Sequence, residues 1–155
     1  MEVLMVEFEK KFSEMKRDLG FKATLNDLDE IFYLRDFIYS EGYVSNFLSR
    51  QIASRITNTY MNWNNYLLAL VFTSHGNMIL MTEAKKFNEE EKKHLTKLVA
   101  SSMGIISTNT LIGITKNKEE ESKFFDDSLN FWNTTFKPEI EKVMVKVNEA
   151  WLNKS

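Results

Sequence analysis

The sequence contains no cysteine, one proline, five glycines and two histidines in 155 residues. Without cysteine there are no disulfides, thiolate nucleophiles, iron–sulfur clusters or Cys-based zinc sites. The glycines at positions 20, 42, 76, 104 and 113 lie too far apart for a dinucleotide fingerprint or a P-loop. The longest purely apolar run is Leu67 to Phe72, LLALVF. That falls far short of the roughly twenty residues that span a bilayer, so no membrane association is expected. The N-terminus, MEVLMVEFEKK, lacks a basic stretch followed by an apolar one. The expectation is therefore no secretory leader and cytoplasmic residence.

Charge of one sign is also missing. Twenty basic residues face twenty-two acidic ones, for a net charge of −2. The two halves of the chain are balanced alike, and a nucleic-acid partner normally demands a basic excess or stripe. The local basic group Lys10, Lys11, Lys16 and Arg17 is interleaved with Glu7, Glu9 and Glu14 and reads as a solvated helix face. Arg50, Gln51, Arg55 and Asn58 could arm a recognition helix, but the segment is continuous from Ser45 and lacks a helix-turn-helix turn. No nucleic-acid partner is expected.

Core material, by contrast, is plentiful: 43% of residues are hydrophobic and 13% aromatic. Met1, Met5, Phe8, Phe12, Met15 and Leu19 recur at helical spacing, and Gly20 offers a stop. This stripe at residues 1–19 fits either a helix packed on its own core or a dimerisation arm. Thr24 and Asp27 mark the start of a second helix, expected to run to about Ser40 and to close at Gly42. A third follows the stripe Val44, Leu48, Ile52, Ile56, Tyr60, Trp63 and Leu67, with Ser45 as a candidate cap. Asparagines at 58, 62, 64 and 65 predict that it ends near Asn62 to Asn65.

Residues 67–82 stay open between a β-hairpin turning at Gly76 and short helices. The stretch from Phe72 through Met81 and Glu83 to Asn88 has a faint resemblance to small α/β domains of the roadblock or PAS kind. It contains no diagnostic motif, and no membership follows. Asn88 to Glu91 and Asn117 to Glu120 are capping boxes. The helix after the first is expected to end at Gly104, with Ile105 to Thr115 a strand or an anchored loop. Pro138 forces a boundary before a last helix bearing Ile140, Val143, Met144, Val147 and Trp151. The fold expected is a mainly α, single-domain bundle of five or six helices over residues 1–155, with α+β as the alternative if the hairpin forms.

Signals for chemistry are sparse. Glu91 and His94 have the E-x-x-H spacing of bundle metal sites, since residues three apart share a helix face. A di-metal centre needs a second such motif, and Phe72, not a carboxylate, stands three residues before His75. His75 reads as a turn residue, and Asp126 and Asp127 as a solvated face. No catalytic residue, metal or cofactor is assigned. The crowded aromatics Phe124, Phe125, Phe131, Trp132, Phe136 and Trp151 fit a core or an interface. The functional expectation is a non-enzymatic protein-association domain, self-associating as a homodimer. Its alternatives are a domain binding an apolar small ligand in an aromatic-lined pocket, and a bundle metal enzyme using Glu91 and His94.

Overall fold

In a computed structural model, which describes residues 2–152, the chain is an all-helical, multi-helix bundle. No β-sheet occurs among the described residues. The helices are α1 (Glu2–Leu19), α2 (Leu25–Phe32), α3 (Leu34–Glu41), α4 (Leu48–Val71), α5 (Met78–Ala84), α6 (Glu89–Thr115), α7 (Lys118–Phe131) and α8 (Lys137–Leu152). A π-helical segment, Trp132–Phe136, lies between α7 and α8. The eight α-helices among the described residues exceed the five or six expected, because the second expected helix is split into α2 and α3 and the short-helix alternative for residues 67–82 is the one that forms, as α5.

The residues fall into two compact units. One comprises Met1–Thr59 with Ile105–Asn130, the other Tyr60–Gly104 with Phe131–Ser155. In the first unit α1 packs against α3. Phe8 and Phe12 of the α1 stripe are fully buried there, while Met5 and Met15 are half-buried. Met1 lies outside the described residues. A chain of rings runs from Phe12 to Phe21 at 5.9 Å and on to Phe125 at 4.8 Å. Lys16 closes α1 by donating to the carbonyls of Phe21, Lys22 and Ala23. Gly20 follows at φ 81, the left-handed conformation a helix stop needs.

The capping box at Thr24 and Asp27 forms as read, with both reciprocal bonds at 3.1 Å. The helix behind it does not reach Ser40. Tyr33 adopts φ 53 and splits it, although no glycine or proline stands there. Asp29 makes the break: its backbone carbonyl takes the Tyr33 N–H and its carboxylate takes the Arg35 N–H at 2.8 Å. Arg55 of α4 secures the Phe32 carbonyl at 2.8 Å. Gly42, at φ 80, then closes α3.

In the second unit, Tyr60 is packed by Phe131, Trp132 and Phe136 at ring distances of 5.1 to 5.9 Å. Helix α4 does not stop at its asparagines but runs to Val71. Asn64, buried, accepts a hydrogen bond from the Ser102 hydroxyl at 2.9 Å. Tertiary pairing of that kind overrides a weak helix propensity. The hairpin alternative is overturned as well. Asn77 caps α5 by accepting the Leu80 N–H, and Gly76 does not adopt the positive φ a tight hairpin turn would require. The resemblance to α/β domains over this stretch therefore has no sheet beneath it.

Residues 105–115 are neither strand nor loop but the second part of α6, which passes through Gly104 unbroken. Hydroxyls of Ser101 and Thr110 bond back to Lys97 and Ile106, so these residues are satisfied inside the helix. Pro138 stands in the first turn of α8, as read, and the boundary it marks is a change of helix type rather than a loop. The π-helical segment precedes it, with the Lys137 N–H reaching Trp132 five residues back. Widening one turn accommodates a residue that cannot donate.

Candidate functional site

The second unit carries an open groove of about 600 Å³ between the first turns of α6 and the length of α8. Its volume lies within the ~300–1,000 Å³ typical of ligand sites. The capping box at Asn88 and Glu91 sets the start of α6, with reciprocal bonds of 3.0 and 2.8 Å. From that start, Glu91 and His94 fall on the side facing α8, with Leu95 beneath them. On α8, Glu139, Lys142, Val143, Lys146 and Glu149 recur at helical spacing along the facing side. The floor is apolar: Phe87 is 6% exposed, Leu95 3% and Val143 4%. Val145 borders it at 59% exposure.

Two polar clasps cross from α6 to α8. His94 Nε2 lies 2.7 Å from a Glu139 oxygen, and Lys142 reaches the other oxygen at 3.2 Å. Lys146 pairs with Glu91 and stands over the Phe87 ring at 5.6 Å from its centre. Burial pushes the Glu139 carboxyl up, but the hydrogen bonds from His94 and Lys142 outweigh it and hold the group below the usual carboxylate range. Hydrogen bonds from Lys146 and from the Asn88 backbone hold Glu91 low in the same way. Glu91 and His94 are thus placed in one groove, as their spacing implied, but each is engaged with α8. No group of three or more potential metal ligands exists among the described residues.

The other residues singled out from sequence serve elsewhere. His75 sits exposed in the turn before α5. Asp127 is exposed, 3.9 Å from Lys123. Asp126 is not a free surface group, because its carboxylate accepts the backbone N–H groups of Lys22 and Ala23. Arg50 and Arg55 turn inward within the first unit. Arg50 pairs with Glu121 at 2.6 Å and donates to Asn109 at 2.7 Å. Arg55 stacks over Phe37 and bonds the Phe32 carbonyl. Phe124, Phe125 and Phe136 are core residues, and Trp151 donates from its indole to Glu83 at 2.8 Å.

No protein-family model, curated protein or solved structure matches this chain. The groove therefore stands on its own geometry. Sequence reading missed Glu139, Lys146 and Phe87 as its members. The available signal was the charged series Glu139, Lys142, Lys146 and Glu149 flanking the apolar Val143 at helical spacing.

One further feature was hidden by counting only unbroken apolar runs. Helix α6 is long and apolar enough to cross a membrane by length and composition, with a mean hydropathy of 1.4 over an 18-residue window. Only 22% of that window is buried.

Proposed function

We propose that the chain is a non-enzymatic association domain that receives apolar side chains of a partner in the groove between α6 and α8. The observation that carries this reading is the apolar floor of Phe87, Leu95 and Val143 beneath a rim of ion pairs. Apolar contact supplies affinity, and polar groups at the edge supply orientation. Glu91 is spent on Lys146, and Glu139 on His94 and Lys142. Groups so engaged suit a binding surface better than acid–base work. The aromatic-lined pocket has less support, because Phe87 is the one Phe, Tyr or Trp among the groove's lining residues.

Selection of helical peptides from a randomised library against the full chain tests the reading. Selected binders should compete with one another and lose at least ~10-fold in affinity, or about 1.4 kcal/mol, on Val145→Asp. Val145 is exposed, so the variant should fold normally. Binders indifferent to that change would place the docking surface elsewhere.

A homodimer through α1 is the second reading. Phe8 and Phe12 are satisfied within their own unit, so the stripe does not require a partner. What favours the reading is the outward side of α1, where Val3 and Val6 are 81% and 66% exposed. Light scattering up to about 100 μM detects dimers held by as little as ~5–6 kcal/mol. A mass staying near 18.2 kDa throughout would remove this reading.

A further inference from the structure

We infer that the occupant of the α6–α8 groove is a basic amphipathic helix of a partner protein, an inference that rests on the groove being a docking site. The rim carries four carboxylates, Glu90, Glu91, Glu139 and Glu149, against two lysines, Lys142 and Lys146. Both lysines are already held, Lys146 by Glu91 and Lys142 by Glu139. The charge left over is negative. Glu149 has no ion pair among the described residues, and Glu90 has only Lys93 at 3.6 Å, with both side chains largely in water. Lysine or arginine beside a ligand's apolar stripe would meet these carboxylates without displacing an established clasp. Exposed carboxylates also require little desolvation to be met.

The backbone narrows the occupant further. An extended peptide gains affinity by adding main-chain hydrogen bonds to a sheet edge. The described residues contain no sheet, and both walls of the groove are helices. Strand addition is closed, which leaves recognition by side chains. Two helices with an apolar floor between them are the usual receptor for the i, i+3, i+4 anchors of a third. The clasps themselves tie the two walls together.

The test uses three synthetic helical peptides with one apolar stripe and outer positions filled by Lys, Gln or Glu. Fluorescence anisotropy against the full chain would be read at about 0.05 M and 0.15 M salt. The Lys peptide should bind ~10-fold or more tighter than the Gln peptide, and the Glu peptide weakest. The advantage should shrink at the higher salt as screening shortens from about 14 to 8 Å. Changing Glu90→Gln and Glu149→Lys together should abolish the ranking while circular dichroism stays unchanged. Equal affinities for all three peptides, lost on Val145→Asp, would overturn the charge inference and leave the groove standing. No binding, or binding indifferent to Val145→Asp, would overturn the groove reading itself. Competition between peptide binding and concentration-dependent dimerisation would make the occupant a second copy and overturn the inference of a separate partner.

Discussion

Single carboxylates do much of the joining in this protein. Asp126 is the clearest case. It reaches from α7 to the segment after α1 and accepts three contacts of 2.8 to 3.1 Å from the backbone of Lys22 and Ala23. Asp126→Ala should cost roughly 2–3 kcal/mol, the scale for hydrogen bonds to a charged group, read as a lower midpoint in urea unfolding. A loss under ~0.5 kcal/mol would mean that water replaces the carboxylate freely. Glu83 plays the same part in the second unit, where the Tyr66 hydroxyl donates at 2.6 Å and the Trp151 indole at 2.8 Å. Burial first, and then the bond to Glu83, push the Tyr66 phenol up. None of these pairings was legible in the sequence. Asp126 and Lys22 are 104 positions apart, and an Asp among apolar neighbours is ordinarily solvent-facing.

Helices whose ends are written in side chains were legible; those set by distant partners were not. The Thr24–Asp27 and Asn88–Glu91 boxes and the glycines at 20 and 42 act as local chemistry dictates. The break at Tyr33 depends on Asp29, Arg35 and Arg55 together, and nothing local announces it. A left-handed non-glycine residue costs roughly 1–2 kcal/mol, while glycine brings its own entropic penalty. Since Tyr33 is 58% exposed, Tyr33→Gly should raise stability by up to ~1 kcal/mol in urea titration. Destabilisation would show that the ring contributes more than the strain removes. The clasps between α6 and α8 give a pH prediction. Glu91 and Glu139 are both held below their ordinary values, so their stabilisation is fully present above the unfolded carboxylate range, about pH 4.3. It is lost as pH falls through their lower folded values. Urea midpoints measured from pH 6 to pH 3 should therefore decline, and Glu91→Gln with Glu139→Gln should flatten that decline.

At the scale of the whole molecule, the all-helical class was readable because apolar residues recur at helical spacing through most of the chain. The candidate site was half readable. Glu91 and His94 share a face by spacing alone, but their partners on α8 lie 45 or more positions away, and only folding brings them together. Helix α6 was expected to end at Gly104 but runs on to Thr115, and its low-charge composition suits two incompatible environments. A bilayer and a bundle interior both accept the stretch after Lys97, and only its partners separate them. Those partners are polar. In the second unit Ser102 of α6 is tied to Asn64, and in the first unit Asn109 of α6 is tied to Arg50, which is itself paired with Glu121. Moving α6 into hydrocarbon would strip these groups of their partners or drag an arginine and a glutamate along, at roughly 2.5–3.5 kcal/mol for each charged group. Mixed with liposomes of neutral and anionic lipid and centrifuged through a density gradient, the protein should stay at the bottom with the aqueous fraction. Flotation abolished by Leu111→Lys and Ile114→Lys, both exposed in the folded chain, would instead give this face of α6 to the bilayer. Flotation that survives those changes would move any lipid contact to another surface while leaving α6 in the bundle.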